Sequence, residues 1–351
     1  MTIVSNANTR RELHKDHLAK YQQQENQAYE LVNQLHNLYN NKDVKVNLFG
    51  ETLNGLSTAD LLTKVQQTAD RNEGKALSID DIVATVKEVV DNQDIKTAVV
   101  DAGQLLKNKV SVADALAKAD QSKPASEATD VVLYGFGRIG RILTRLLLEE
   151  AATDKGLQLK AFVVRPGKDG DIAKRASLLE RDSVHGTFAG SIVVDEENQG
   201  IIVNGRFIQV IYANDPSEID YTSYGINDAI VIDNTGIWKD EDGLGKHLQA
   251  KGVKKVLLTA PSKGEIKNVV YGVNNDTIGD DTIVSAASCT TNAITPSLKV
   301  LNDEFGIVNG HVETIHAFTN DQNLIDNYHK SDRRGRSAVL NMVITSTGAA
   351  K

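Results

Sequence analysis

Two patterns of hydrophobic spacing divide the chain near residue 125. Before it, apolar residues recur at steps of three and four among charges and amides, the repeat of a helix with one buried stripe. The spacing predicts helices over 13–39, 58–69, 79–91, 96–107 and 111–119. Ser57-Thr58-Ala59-Asp60 and Ser78-Ile79-Asp80-Asp81 supply serine caps and acidic first turns for the second and third of these. An apolar alternation at 44–49 and the turn Leu53-Asn54-Gly55 interrupt the helical repeat. The polar stretch 121–127, which contains Pro124, reads as a linker.

After the linker the repeat shortens. Runs suited to strands occupy 131–134, 159–164, 191–194, 207–212, 229–233, 255–260, 268–273 and 311–318. Helical patterns at 138–151, 171–180, 243–251 and 290–305 alternate with some of them. Such alternation predicts an α/β fold with a parallel, doubly wound sheet. The expected organisation is an all-α extension over 1–124, a nucleotide-binding domain over 125–288 and an α+β catalytic domain over 289–351, of which only part is present.

Composition narrows the classes. The 351 residues are 40% hydrophobic and 25% charged, with a net charge of −8, which disfavours nucleic acid or an anionic membrane as the main partner. One cysteine forms no internal disulfide, and no run reaches the length of a membrane span. A cytoplasmic location is the expectation.

The strand Val131-Val132-Leu133-Tyr134 runs straight into Gly135-Phe136-Gly137-Arg138-Ile139-Gly140, which opens a helix. In that setting Gly135 permits the turn, Gly137 lets backbone approach a pyrophosphate and Gly140 packs helix on strand. The helix N-terminus offers free N–H groups to the anion. A tight turn with no ligand is the plainer alternative. At the end of the second strand, Val163-Val164-Arg165-Pro166-Gly167-Lys168 carries no carboxylate to accept from a ribose 2′-hydroxyl. Arg165 and Lys168 instead favour NADP or tolerance of both NAD and NADP, the alternative being a solvated basic loop.

Cys289 lies in Ser288-Cys289-Thr290-Thr291-Asn292, and His316 follows 27 residues later in Thr314-Ile315-His316-Ala317-Phe318-Thr319. A thiol at a helix start and a histidine suggest a nucleophile and its base. A buried cysteine near an unrelated histidine is the bland alternative.

Further segments complete a pattern. They are Asp182-Ser183-Val184-His185-Gly186, Asp233-Asn234-Thr235-Gly236, Thr259-Ala260-Pro261-Ser262, Tyr271-Gly272-Val273-Asn274, Thr319-Asn320-Asp321-Gln322 and Ser346-Thr347-Gly348-Ala349-Ala350-Lys351. In this order, with the two motifs above, they resemble phosphorylating glyceraldehyde-3-phosphate dehydrogenase from about residue 129 onward. The resemblance implies a Rossmann domain, a Cys289 thioester and His316 as base, in an enzyme of glycolysis or gluconeogenesis. It implies that Arg138, Ile139, Asn214, Thr235, Gly236 and Thr259 join the glycines and Arg165 around the cofactor. Ser288, Thr290, Thr319, Thr347 and Gly348 would bind the phosphates of the aldehyde and of inorganic phosphate, the co-substrate. A homotetramer is implied as well.

Three departures stand out: the missing acid near Arg165, Ala293 where many members carry a second cysteine, and a chain that stops at Lys351 where the family continues. The last suggests a fragment, inactive as it stands. Erythrose 4-phosphate as substrate, or a non-catalytic regulatory protein on the same fold, are the competing readings. Residues before 125 match nothing in the ordinary family.

Overall fold

A computed structural model describes residues 7–92, 95, 98–118, 128–150, 156–319, 322–330 and 333–345. The chain divides into two compact units, one of residues 1–129 with 146–158 and the other of 130–145 with 159–351.

The first unit begins with α1 (Ala7–Lys42), then β1 (Val44–Leu48), β2 (Glu51–Thr52), α2 (Thr58–Gln67) and α3 (Ile79–Asp91). It continues with β3 (Ala98–Asp101), α4 (Ala102–Asn108) and α5 (Val112–Lys118). The predicted caps form: Ser57 accepts from the Asp60 N–H and Ser78 from the Asp80 N–H. Ala28, Leu31, Leu35 and Leu38 of α1 bury the helical stripe against Leu61, Ile82 and Val86. The unit is not all-α, however. A three-stranded sheet runs in the order β2-β1-β3, with β1 antiparallel to β2 and parallel to β3. The 44–49 alternation is its central strand, burying Val44, Val46 and Leu48. The expected helix over 96–107 is instead a strand, then a helix started by Asp101, whose carboxylate accepts from the Gln104 N–H. The β-branched pair Val99-Val100 had fitted the helical repeat equally well.

The second unit holds β4 (Thr129–Tyr134), α6 (Arg138–Glu150), β5 (Leu157–Val164), α7 (Asp171–Glu180), β6 (Arg181–Asp182) and β7 (Gly186–Thr187). There follow β8 (Ile192–Asp195), β9 (Gly200–Val203), β10 (Arg206–Tyr212), β11 (Ala229–Asp233), α8 (Glu241–Gln249), β12 (Val253–Leu258), β13 (Ile283–Ser285) and α9 (Cys289–Phe305). β4, α6 and β5 straddle the division between the units. An eight-stranded sheet has the order β13-β12-β11-β4-β5-β10-β9-β8. From β10 to β13 this is the 3-2-1-4-5-6 order of a doubly wound nucleotide-binding sheet, extended by the antiparallel β9 and β8. Val131, Val132, Leu133 and Tyr134 are all buried, the continuous apolar run of a strand covered on both faces.

Two expected strands are absent. Residues 268–273 make only an isolated bridge, Asn268 to Ser285, and otherwise turn. Residues 311–318 are irregular, with Val312, Ile315 and Phe318 exposed. Their alternation suits a strand, but a strand forms only against a neighbour, and none pairs with them among the described residues. No described helix is long and apolar enough to cross a membrane.

Candidate active site

The strand order reverses between β4 and β11, and a crevice opens beyond the carboxyl ends of these strands. A cleft of about 240 Å³ lies there, lined among others by Gly135, Gly137, Arg165, Asn214, Thr235 and Trp238. Gly135 has φ +96°, a conformation that glycine adopts without strain, and its N–H donates to the Val163 carbonyl at 2.9 Å. A Cβ on Gly140 would lie 2.4 Å from the Gly135 carbonyl oxygen, so only glycine lets α6 start this close to the turn. A Cβ on Gly137 would meet nothing within 4 Å, because that face opens onto the cleft. The cradle therefore fits a dinucleotide: open space over one glycine, and the N-terminus of α6 beyond it.

The opposite wall is built by a buried carboxylate. Asp233 ends β11, and one of its oxygens accepts from both the N–H and the hydroxyl of Thr235, each at 2.7 Å. The other lies 3.0 Å from His247 Nε2, and both side chains are fully buried. Thr259 donates its hydroxyl to the Asp233 carbonyl at 3.0 Å and to Asn234 Oδ1 at 3.2 Å. Thr259 thus braces the turn from behind, while Gly236, at φ +65°, carries the chain past the cleft. Arg138 and Ile139 are exposed at the start of α6, Arg138 lying 3.6 Å from Asp182. Tyr134, desolvated and close to Asp233, has its phenol pushed up to about 12 and so stays neutral.

At the cleft's far end Arg165 is exposed, and Lys168 is not among the lining residues. The sequence reading overlooked Trp238, the only tryptophan, and Arg175, both of which line the cleft. The signal for Trp238 was its place two residues past Gly236.

The second cluster is at the start of α9. Ser288 caps that helix by accepting from the Thr291 N–H at 3.0 Å. Its hydroxyl is thus engaged in the fold. Buried Ala287, with φ +60°, turns the chain sharply into the helix. Non-glycine residues adopt this conformation only when their surroundings enforce it. Cys289 is the first helical residue, and its Sγ lies 3.2 Å from His316 Nε2. His316 Nδ1 lies 2.6 Å from the Ala317 carbonyl oxygen, which can only accept, so Nδ1 carries a proton. Nε2 is then free to take the thiol proton. The hydrogen bond with His316 lowers the thiol's pKa, helped by the His316 charge and by Thr290. The Ala317 carbonyl, then Cys289, raises that of His316.

Thr319, three residues on, accepts from Arg334 Nη2 at 3.2 Å, so a guanidinium that the sequence reading had not singled out stands beside a predicted phosphate ligand. Thr347 and Gly348 lie outside the described residues. Among the described residues no group of three or more His, Cys, Asp or Glu side chains is placed to hold a metal.

Comparison with known proteins identifies the family. The glyceraldehyde 3-phosphate dehydrogenase NAD binding domain model matches residues 129–241, and the C-terminal domain model of the same family matches 288–351. The chain belongs to the glyceraldehyde-3-phosphate dehydrogenase family. It is 64% identical over 231 residues to a glyceraldehyde-3-phosphate dehydrogenase-like protein of Pseudomonas aeruginosa, covering 66% of this chain and 50% of that protein. It is 42% identical over 226 residues to glyceraldehyde-3-phosphate dehydrogenase of Zymomonas mobilis, covering 64% of each. The match to the Thermotoga maritima enzyme is 43% over 222 residues, or 63% of each. The chain therefore spans between half and two thirds of the length of these relatives.

Proposed function

We propose that the protein oxidises glyceraldehyde 3-phosphate to 1,3-bisphosphoglycerate, using NAD(P) and inorganic phosphate, through a thioester on Cys289. The observation that carries this reading is the 3.2 Å approach of Cys289 Sγ to His316 Nε2 at a helix N-terminus. Sγ adds to the aldehyde carbon as a C–S bond forms, and His316 Nε2 passes the proton it took from the thiol to the carbonyl oxygen, giving a thiohemiacetal. The Cys289 N–H, as the first of its helix, has no acceptor within it and faces the developing oxyanion. His316 Nε2 accepts the hydroxyl proton as hydride leaves that carbon, which gives the thioester. The nicotinamide dinucleotide, when bound by Gly135, Gly137, Arg138, Ile139, Asn214, Thr235 and Arg165, supplies the hydride acceptor. Phosphate oxygen then attacks the thioester carbon, the C–S bond breaks, and the thiolate is restored.

Thr319 with Arg334, and Thr290 near the sulfur, are the described groups that would receive the phosphates, with Thr347 and Gly348 completing the set. Residues 1–124 form an extension outside the chemistry, 125–288 the cofactor domain and 289–351 part of the catalytic domain. The protein acts in the cytoplasm as a homotetramer. The test is reduction of NAD(P) that requires both aldehyde and phosphate, and that Cys289→Ser abolishes. Comparing kcat/KM for glyceraldehyde 3-phosphate and erythrose 4-phosphate settles the aldehyde. A protein that binds cofactor yet reduces none with either aldehyde overturns the reading.

A further inference from the structure

The cleft's basic lining extends beyond the loop that the sequence suggested. Arg175, one turn into α7, lines the cleft together with Arg165. Its Nε donates to Asp171 Oδ2 at 2.6 Å, and the pair is largely sheltered, with 22% and 16% of the two side chains exposed. The same oxygen accepts from the Tyr212 hydroxyl at 3.2 Å, at the end of β10. Close packing holds the carboxylate there: a Cβ on Gly167 would lie 2.3 Å from Asp171 Cγ.

Two consequences follow. First, Oδ2 of Asp171 accepts from both an arginine and a tyrosine, which turns this carboxylate toward the guanidinium and fixes the pair in place. Second, a guanidinium gripped at Nε keeps its orientation while both terminal NH2 groups stay available. No hydrogen bond from either Arg175 terminal nitrogen exists among the described residues. A fixed fork with two free donors matches two oxygens of a phosphate. Arg165 adds a second cation among the residues that line the cleft.

We propose that Arg175, held by Asp171 and Tyr212, forms with Arg165 a subsite for the 2′-phosphate of an adenosine 2′-phosphate cofactor. This rests on the reading of the cleft as a dinucleotide site and deepens it. Arg175 is the specificity-determining residue, and Asp171 and Tyr212 are positioning residues. NADP binds at least as well as NAD.

The test uses the full chain and the fluorescence of Trp238, the only tryptophan, which lines the same cleft. NAD⁺, NADP⁺, 5′-AMP and adenosine 2′,5′-bisphosphate are titrated into the parent, Arg175→Gln, Arg175→Lys and Tyr212→Phe. Arg175→Gln raises the Kd of NADP⁺ and of the bisphosphate roughly tenfold or more, the usual loss for hydrogen bonds to a charged group. NAD⁺ and 5′-AMP change less than about threefold, because they lack the 2′-phosphate. Arg175→Lys, which keeps the charge and loses the fork, recovers only part of the affinity. Tyr212→Phe touches no ligand and weakens NADP⁺ binding a few-fold while leaving NAD⁺ unchanged. Equal losses for both dinucleotides would make Arg175 a structural residue and overturn the subsite. A parent that binds NAD⁺ and rejects NADP⁺ overturns it too, with the dinucleotide reading intact. A parent that binds neither refutes both.

Discussion

Replacing His316 with asparagine tests the electrostatics of the thiol. The imidazolium nitrogen stands 3.2 Å from Cys289 Sγ, and both groups are exposed, so water sets the dielectric. Two unit charges at that distance attract by about 1.3 kcal/mol in water, or about tenfold in an equilibrium constant. The N-terminus of α9 favours the thiolate by a smaller amount and survives the substitution. The sign follows from the charges: removing the cation destabilises the thiolate, so the thiol's pKa rises. At a pH below that of the labelling midpoint the thiolate fraction then falls, by up to about tenfold, while the more basic sulfur attacks faster, leaving alkylation up to about threefold slower. The assay is the rate of iodoacetamide labelling between about pH 5 and pH 9, with the adduct located at Cys289 by peptide mass spectrometry. The midpoint moves up in His316→Asn. The same substitution lowers kcat by roughly 10²–10⁴, the range for a positioned acid–base group. A labelling midpoint that does not move would show that His316 does not hold the thiolate, and the short contact would then be without electrostatic effect.

Three further outcomes follow from the geometry. Gly140→Ala forces a Cβ against the Gly135 carbonyl, 2.4 Å away. It lowers stability by about 1–3 kcal/mol and weakens dinucleotide binding, read by denaturant titration and by Trp238 fluorescence. Asp233→Ala leaves the donors of Thr235 and His247 without their shared acceptor in a buried site, and lowers stability by about 3–5 kcal/mol in urea unfolding. Asp215, whose carboxyl is brought down to about 2 by its bonds to Lys246 and Ser217, contributes stability that is present above the ordinary aspartate value and is lost as pH falls through that range. Asp215→Asn therefore flattens the acid limb of a stability-versus-pH curve between about pH 4 and pH 2, by lowering stability at neutral pH while leaving it nearly unchanged below that range.

Much of the second unit was legible because its signals are local. The strand Val131–Tyr134, the three glycines after it and the helix start at Cys289 each declare themselves within a few residues. Cys289 and His316 were legible only as types, since their approach depends on where the irregular segment after α9 returns. The first unit was misread at 98–101 because a short strand carries too few residues to betray its period. Residues 311–318 show the reverse case, a strand-like alternation with no partner. Arg175 and Arg334 were missed for one reason: each matters through a contact made across space, to Asp171 and to Thr319, that no spacing announces. Asp233 lay in a quoted motif, yet its pairing with His247, 14 residues on, needed the fold.

The central claim is that Cys289 carries the oxidised substrate as a thioester while the dinucleotide occupies the glycine-lined cleft. It is tested most directly by mixing the full-length protein with glyceraldehyde 3-phosphate and NAD⁺ or NADP⁺ in phosphate-free buffer. Reduced cofactor and acyl adduct are then measured together. The expected result is a stoichiometric burst of reduced cofactor, an acyl group mapped by mass spectrometry to Cys289, and its release on addition of phosphate. Aldehyde oxidation with no acyl group on Cys289, or cofactor binding with neither burst nor adduct, would contradict it.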